Sequence, residues 1–412
     1  MHNHPPQYWN QSYTTTHIMK TKVLMLHRIF ASYRRPIYDK LAENYDYLLI
    51  HGNKDTTINQ SVTPYSKVIK SWQYNSNPTN VFFESFSTLF KFKPKVFIHE
   101  LAIGMLTMLP MYVCCKLMGV KFILYSHGYN RLYGFHPPSS WADKYRVFLM
   151  KLADATIIYT HKDRKMLGEY ANINKIFVAQ NTLDTTQLKV IKKELEKEGR
   201  IQIKQRLGLT HTYNLTFIGR IIDEKMPEKI LEVFDILQQK MPNQIGIHFV
   251  GGGDVEALKR TVEEKKWEND VLFHGAIYDD QHTGAFLYAS DMMLIPGSLG
   301  LAINHAFMFD CPIISFDKCG NIPFHGPELD YVVENETGFL IPDLSVKKMA
   351  EKLMAYLLNE PMQMEMKKHI QDKMNTQLTI DNMVLGFTDA VDFALNKSKR
   401  SDIVSPNLHK VA

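Results

Sequence analysis

Short apolar runs alternate with amphipathic stretches along most of the chain. In the first half, strands are predicted for KVLMLHRI, DYLLIHG, KVFIHE, KFILYSHG and DATIIYT, with helical stretches such as RRPIYDKLAENY between them. In the second half, the predicted strands are LTFIGR, GIHFVGGG, VLFHG, MMLIPGS, PIISFD and TGFLIPD. This β-α-β alternation predicts parallel sheets that are covered by helices on both faces.

The alternation stops between residues 183 and 212 and then resumes. This segment is highly charged, contains no predicted strand and ends in turn residues. Because 412 residues are too many for one ordinary hydrophobic core, two domains are expected. We therefore predict an α/β protein with two Rossmann-like halves and a linker near residue 185. In sheets of this kind, ligands bind outside the carboxyl ends of the strands.

The composition is that of a globular protein with reduced thiols. Hydrophobic residues make up 45% of the chain and charged residues 22%. Cys114 and Cys115 lie in an apolar segment, and no Cys/His spacing around them, Cys311 or Cys319 is typical of a zinc site. We expect inert cysteines in a cytoplasmic compartment.

The most apolar segment, Leu101–Val120, is nearly long enough to cross a bilayer. Pro110 and Lys116 interrupt it and a predicted strand follows at once, so a buried helix is favoured over a membrane span. The polar start of the chain has no apolar run typical of a signal peptide and is predicted to be disordered. Met19, just before the first strand, is an alternative start.

Charge is distributed unevenly between the two halves. Residues 1–180 contain 22 Lys and Arg against 10 Asp and Glu, and the remainder contains 26 against 33. A basic half suggests an anionic partner, for which nucleic acid and an anionic membrane surface are both candidates. An ordinary solvated surface is the alternative.

The first strand of the second half leads into a possible anion site, in the stretch LTFIGRIIDEKMPEKILEVF. Gly219 allows the backbone to turn, and Arg220 and Lys225 follow where the chain leaves the sheet. Arginine offers a bidentate fork to phosphate and lysine a point charge, so the pair could clamp a diphosphate. On this segment alone, two solvated surface cations are the favoured alternative.

Two further glycine-rich turns follow strands of the same half. FVGGGD contains Gly251, and PGSLGLAINHAF leads through Gly300 into a predicted helix. A loop that enters a helix presents free backbone N–H groups to an anion, and glycine permits a close approach. Three such turns at one sheet edge favour a phosphate or sugar site.

The order of these motifs resembles glycosyltransferase family 4, also called group 1. FIGRIIDEK, FVGGGD, VLFHGAIYDDQHTGAFLYASDMMLIPGS, GLAINHAFMFDCPIISFD and ENETGFLIPD follow that family's pattern from about Leu215 to Leu358. HRIFASYRRPIYDKL, LYSHG and KIFVAQNTLDT match the first half more loosely, and the glycine-rich loop that many members carry near the N-terminus is absent.

The resemblance implies the GT-B fold, in which two Rossmann-like domains turn their parallel sheets toward an interdomain cleft. The predicted segments are a disordered tail over 1–19, an acceptor domain over 20–184, a nucleotide-sugar domain over 185–375, a helix over 376–397 that returns to the first domain, and a polar tail over 398–412.

The sequence departs from the family at a pair of glutamates separated by seven residues. Gly297 and His305 stand at these positions, so a histidine replaces the carboxylate that binds the ribose. A neutral imidazole can still hold one hydroxyl group. The alternative is a structural histidine in the first turn of a helix.

Glu328 matches a glutamate that the family often carries after the next strand, and it could compensate for a missing carboxylate. Asn181 reads as a turn former.

The resemblance implies a retaining glycosyltransferase that moves a sugar from a UDP- or GDP-sugar to a saccharide or lipid-linked acceptor in cell-surface polysaccharide or lipopolysaccharide biosynthesis. It makes Arg220, Lys225 and His127 catalytic, and it assigns donor binding to Gly219, Gly251, Ser298, Leu299, Gly300, Leu301, His305 and Glu328. We expect no cofactor, no obligatory metal and no nucleic-acid partner. The expected location is cytoplasmic, with peripheral contact to the cytoplasmic face of the inner membrane as a further hypothesis. A catalytically silent sugar-nucleotide-binding partner and a GT-B nucleotide-sugar epimerase are the alternatives.

Overall fold

The structure, a computed structural model, describes residues 19–52, 59–74, 79–317 and 325–397. Most of the predicted N-terminal tail, the predicted polar tail 398–412 and Cys319 lie outside these residues. The described chain contains two parallel sheets, of seven and six strands, and a short two-stranded antiparallel hairpin.

The N-terminal sheet has the strand order β3-β2-β1-β6-β7-β8-β9, and its neighbouring strands pair in parallel. The strands of this half are β1 (Lys22–Ile29), β2 (Asp46–Gly52), β3 (Ser66–Val68), β4 (Trp72–Tyr74), β5 (Thr79–Val81), β6 (Val96–Glu100), β7 (Lys121–Tyr125), β8 (Ala155–Ile158) and β9 (Ile176–Val178). The predicted strands of this half are all present. The short β3 and the β4-β5 hairpin are additions that the apolar pattern did not predict.

The C-terminal sheet has the order β12-β11-β10-β13-β14-β15 and is also parallel throughout. Its strands are β10 (Tyr213–Ile218), β11 (Ile245–Val250), β12 (Val271–Phe273), β13 (Met292–Leu294), β14 (Ile313–Phe316) and β15 (Gly338–Ile341). The strand order reverses direction at β10, with β11 on one side and β13 on the other. Such a reversal creates the crevice in which ligands of doubly wound sheets bind.

Helices cover both sheets. They are α1 (Arg35–Asn44), α2 (Glu84–Phe92), α3 (Met108–Leu117), α4 (Trp141–Leu152), α5 (His161–Gly168), α6 (Thr186–Glu198), α7 (Arg200–Leu207), α8 (Glu228–Lys240), α9 (Glu256–Lys265), α10 (Asp280–Ala289), α11 (Ala302–Met308), α12 (Val346–Leu357), α13 (Glu360–Thr376) and α14 (Ile380–Ala394). On the N-terminal sheet, α1 and α14 contribute to the hydrophobic core on one face, and α2 to α5 contribute to the core on the other.

The charged segment between residues 183 and 212 is largely helical. It forms α6 and α7, whose buried residues Leu188, Leu195 and Ile203 belong to the core of the C-terminal sheet. Each helix buries only one narrow stripe of apolar residues, so a few apolar positions are enough to pack it on the sheet. Charged residues on the exposed faces dominate the composition of the segment, which makes the helical pattern hard to recognise.

The apolar segment Leu101–Val120 contains α3, whose Met108, Met111 and Cys115 are buried. Across the described residues, no helix is long and apolar enough to cross a membrane. Leu117 and Val113 remain exposed to solvent on the outer face of the helix.

Candidate functional site

Two cations follow β10 at the carboxyl edge of the C-terminal sheet. Arg220 is exposed, and Lys225 is half-buried at the end of the 3-10 turn Asp223–Lys225. The Nζ of Lys225 donates a hydrogen bond to the carbonyl oxygen of Ser298 at 3.1 Å. Burial, together with the nearby charge of Arg220, lowers the pKa of Lys225. Among the described residues, neither cation has a carboxylate within 4.0 Å, so the pair is available to an external anion.

Glycines bring the backbone of two neighbouring strand ends into contact beside this pair. Gly219 has φ +139°, in a region that side chains rarely adopt. A Cβ placed on Gly251 would lie 1.8 Å from the carbonyl oxygen of Gly219. Both positions therefore require glycine, and the ends of β10 and β11 are left without side chains that would obstruct a ligand.

The loop before α11 is fixed by its own N–H groups. Gly297 donates to the carbonyl oxygen of Lys225 at 3.0 Å, and Ser298 donates to that of Glu224 at 2.7 Å. Leu299 donates to Nδ1 of His325 at 3.1 Å. These three groups are thus not free for an anion, contrary to the expectation for the whole loop.

The backbone N–H groups of Gly300 and Leu301 are different, because they donate to no other described residue. They mark the part of the loop that remains able to bind a ligand. The helix that follows has only seven residues, so its dipole adds little.

The two polar residues of α11 have different surroundings. Asn304 is fully buried and donates from Nδ2 to the carbonyl oxygen of Asn181 at 3.3 Å and to Oγ1 of Thr182 at 3.1 Å.

The side chain of His305 is 32% exposed, and its Nδ1 lies 3.9 Å from Oδ1 of Asp280. Burial lowers the pKa of His305, while the charge of Asp280 opposes this shift. The lowered pKa favours the neutral imidazole of His305.

Replacing His305 by alanine is expected to weaken binding of the donor nucleotide by about 1 kcal/mol, the usual net value of one hydrogen bond. The chemical step should change less. The measurement is calorimetric titration of wild type and His305→Ala with the nucleotide and with its 2′- and 3′-deoxy forms. Wild type should lose affinity for one deoxy form, and the variant should bind that form as well as the parent. An equal loss in both proteins would make His305 a structural residue of the helix.

Glu328 lies between the two halves of the molecule, in the 3-10 turn Pro327–Tyr331. It is 3% exposed and accepts a hydrogen bond from Nδ2 of Asn181. Its Oε2 lies 3.8 Å from the position that a Cβ on Gly300 would take. Burial raises the pKa of Glu328 above the ordinary range, while the charges of Arg34 and Arg131 oppose the shift. The carboxylate is therefore placed beside the loop before α11 and faces the N-terminal half.

His127 follows β7 at the carboxyl edge of the N-terminal sheet. Its ring centroid lies 4.7 Å from that of Tyr159. Burial, followed by the charges of Arg131 and Arg34, lowers the pKa of His127 to about 3. The imidazole is neutral, so it can orient a hydroxyl group but carries no charge.

Asn181 joins the two halves, although the sequence suggested only a turn residue. Besides its bond to Glu328, its carbonyl oxygen accepts from the hydroxyl group of Tyr331 at 3.0 Å. The bond from Asn304 completes a buried polar network between the end of the N-terminal sheet and the turn that carries Glu328. The sequence-predicted residues His127 and Glu328 share two neighbours, since the charges of Arg34 and Arg131 act on the pKa of both.

Sequence reasoning also missed the charged residues of the N-terminal edge. Glu100, at the end of β6, is 6% exposed and accepts hydrogen bonds from the backbone N–H and the Nε of Arg28, both at 2.7 Å. Burial opposes ionisation, but His27 and Arg28 hold the pKa of Glu100 at about 2. The sequence signal that could have identified Glu100 is its position at the end of a predicted strand.

Part of the chain matches a known protein family. Residues 200–373 match the family model described as Glycosyl transferases group 1. The poly(ribitol-phosphate) alpha-N-acetylglucosaminyltransferase of Staphylococcus aureus is 23% identical over 174 residues, which cover 40% of this chain and 33% of that protein. The matched region thus spans one third of the length of that curated relative.

Solved structures extend the similarity to both halves. A glycosyltransferase from Rickettsia africae superimposes with a TM-score of 0.65 at 15% identity, covering 92% of this chain and 100% of that chain. HepE from Anabaena in complex with UDP gives 0.65 at 13% identity, covering 90% and 100%. TarM from S. aureus, in complex with fondaparinux, alpha-GlcNAc-glycerol and UDP, gives 0.51 at 15% identity, covering 78% and 61%. The chain has the GT-B fold.

Proposed function

We propose that the chain is a glycosyltransferase of family 4 that moves a sugar from a UDP- or GDP-sugar to a saccharide or lipid-linked acceptor, with retention. The observation that carries the proposal is the pair Arg220 and Lys225, two cations with no carboxylate partner among the described residues. They lie at the switch point of a parallel sheet, and Lys225 contacts the glycine loop at Ser298. The match of residues 200–373 to group 1 glycosyl transferases supports the same assignment.

In the proposed reaction, the bond between the sugar and the diphosphate breaks and negative charge develops on the diphosphate. Arg220 and Lys225 stabilise that charge, aided by the N–H groups of Gly300 and Leu301. The two cations take the role that a metal ion has in other transferases, so no obligatory metal is proposed. The leaving phosphate accepts the proton of the attacking hydroxyl group. His127 orients the donor sugar, and Glu328 replaces one of the carboxylates absent at Gly297 and His305.

The ligands of the similar structures support a UDP-sugar more directly than a GDP-sugar, since UDP is bound in both TarM and HepE. WaaG, named as a glycosyltransferase involved in lipopolysaccharide biosynthesis, superimposes with a TM-score of 0.57 at 12% identity. We therefore place the reaction in the synthesis of a cell-surface polysaccharide or lipopolysaccharide.

Donor binding is tested by thermal-shift measurement of the full chain with UDP, GDP and a panel of their sugars. One nucleotide series should raise the melting temperature in proportion to the logarithm of its concentration. The anomeric configuration of the product, read by NMR, tests retention. A silent binding partner of another transferase, suggested by Gly297 and His305, would show the thermal shift without release of nucleotide in the presence of acceptor.

The N-terminal half offers a surface for peripheral contact with a membrane. Exposed apolar side chains are concentrated on or beside α2, α3 and α4, namely Phe83, Phe90, Leu106, Val113, Leu117, Trp141 and Phe148. On α4, the ring of Tyr145 stacks on those of Trp141, at 5.5 Å, and Phe148, at 6.4 Å. Exposed Lys144 and Lys151 flank this aromatic ridge of Trp141, Tyr145 and Phe148. Aromatic side chains beside lysines suit the interface of an anionic bilayer.

The chain is expected to sediment with vesicles of anionic lipid but not with neutral vesicles, because each basic residue near such a surface contributes about 1 kcal/mol. Salt should weaken the binding. The double variant Trp141→Ala, Phe148→Ala should bind less, whereas Leu358→Ala, Met364→Ala, which removes exposed apolar side chains from the other half, should bind as wild type does. Equal binding to both kinds of vesicle, or none to either at low salt, would contradict the proposal.

A further inference from the structure

Arg34 is a buried cation for which the described residues supply no carboxylate. It ends the 3-10 turn Ser32–Arg34 after β1 and is 7% exposed. Its Nη1 donates to the hydroxyl group of Tyr125 at 2.8 Å, and its Nη2 donates to that of Tyr159 at 3.0 Å. Hydroxyl dipoles replace part of the lost hydration but do not neutralise the charge. A buried charge without a counter-ion is costly, and a bound anion would remove that cost.

No carboxylate of the described residues lies within 4.0 Å of the Arg34 guanidinium, and several near this region have other partners. Glu100 is held by Arg28, and its Oε1 lies 2.5 Å from Nη2 of that arginine. Asp163 forms an ion pair with Arg131. Glu328, across the cleft, is bonded to Asn181. Arg34 therefore has no ion-pair partner among the described residues, and Glu328 interacts with its charge only from across the cleft.

Two neighbouring side chains have unused polar atoms. Nδ1 of His127 and Nε of Arg131 are buried, and neither has a hydrogen-bond partner among the described residues. His127 and Arg34 both pack on Tyr159, because the imidazole centroid lies 4.7 Å and the guanidinium carbon 5.4 Å from that ring. The guanidinium carbon of Arg131 lies 4.9 Å from the ring of Tyr129, which follows His127 by two residues. The unpaired guanidinium of Arg34 and the unused atoms of His127 and Arg131 thus lie near one another, since the charges of both arginines lower the pKa of His127.

We propose that Arg34, Arg131 and the unpaired Nδ1 of His127 bind an oxyanion, a phosphate or a carboxylate, carried by the acceptor substrate, which leaves Nε2 of His127 to the donor sugar. A guanidinium fork matches both groups, and the unpaired atoms of His127 and Arg131 supply further hydrogen bonds. The inference rests on the proposed glycosyltransferase function. We assign the anion to the acceptor because the donor diphosphate already has a proposed binding site in the opposite half, at the unpaired cations Arg220 and Lys225.

The test uses inorganic phosphate as the probe and calorimetric titration of the full chain saturated with UDP, which occupies the donor site. Wild type should bind phosphate, and Arg34→Gln should bind it about tenfold more weakly or worse, since a charge-assisted hydrogen bond is lost. The matched control is Arg35→Gln. Arg35 adjoins Arg34 but is 56% exposed and is paired with Asp39, so this variant should bind phosphate as wild type does.

Equal phosphate affinity of Arg34→Gln and Arg35→Gln would overturn the inference. So would phosphate binding that disappears when UDP is bound, because the anion would then be the diphosphate of the donor. If Arg34→Gln does not fold, as judged by circular dichroism, His127→Phe takes its place and should weaken phosphate binding about threefold or more. UDP is titrated separately into wild type. Absence of UDP binding counts against the proposed function, while the comparison between the arginine variants still decides this inference.

Discussion

Replacing Arg220 or Lys225 by alanine is expected to lower turnover by about 100-fold or more, because one preorganised charged donor at the developing charge contributes about 3 kcal/mol. The loss should appear in the turnover at saturating donor and not only in the Michaelis constant, since the charge on the diphosphate grows in the transition state. Lys225→Ala also removes the bond to Ser298, so this variant should lose part of its stability as well.

The matched control for the two cations is Lys229→Ala. Lys229 is the second residue of α8, and its Nζ is paired with Oε1 of Glu232 at 2.8 Å. Turnover of this variant should equal that of wild type. Near-wild-type turnover of both Arg220→Ala and Lys225→Ala at saturating donor would remove the diphosphate assignment.

Introducing a glutamate at position 297 is expected to lower turnover rather than improve it. The resemblance to glycosyltransferase family 4 places a sugar-binding glutamate there, but this chain packs Gly297 against the turn that carries Lys225. A Cβ on Gly297 would lie 2.3 Å from the carbonyl oxygen of Glu224 and 2.6 Å from Cα of Lys225. Any side chain must therefore displace the backbone of one loop, at a cost of about 1–3 kcal/mol of folding stability.

Gly297→Ala separates this backbone effect from the chemistry of the glutamate, because it should lower the melting temperature and turnover nearly as much as Gly297→Glu. Gly300→Ala is the control for stability, since its Cβ would meet its nearest neighbour, Oε2 of Glu328, at an ordinary contact distance of 3.8 Å. Its melting temperature should stay close to that of wild type. Gain of turnover in Gly297→Glu would show that the glutamate is merely missing and that the loop tolerates it.

The parallel sheets could be predicted because each buried strand is a continuous apolar run bounded by turn residues. β1 and β2 occur over the residues that the pattern predicted. The β4-β5 hairpin escaped prediction because three-residue strands are too short to show a period. Helices α6 and α7 escaped because their exposed faces dominate the composition of that segment.

The positions of the candidate site residues could be predicted where these residues follow a strand end closely in sequence, and not where the fold joins distant residues. Arg220 and Lys225 are separated from the strand end by a few residues, so topology alone places them at the sheet edge. The partners of Arg34 are 91 and 125 residues away, and Asn181 meets Glu328 across 147 residues. Nothing local distinguishes Arg34 from the exposed Arg35 beside it, since only the tertiary fold buries one of them.

The most direct test of the proposed function is the release of UDP or GDP from a panel of nucleotide-sugars by the full chain, with and without saccharide acceptors. At least one donor should be cleaved, an acceptor should accelerate the release, and Arg220→Ala should slow it by about 100-fold or more. If no donor is cleaved under any of these conditions, or if Arg220→Ala cleaves the preferred donor as fast as wild type, the proposed transfer at this site is contradicted.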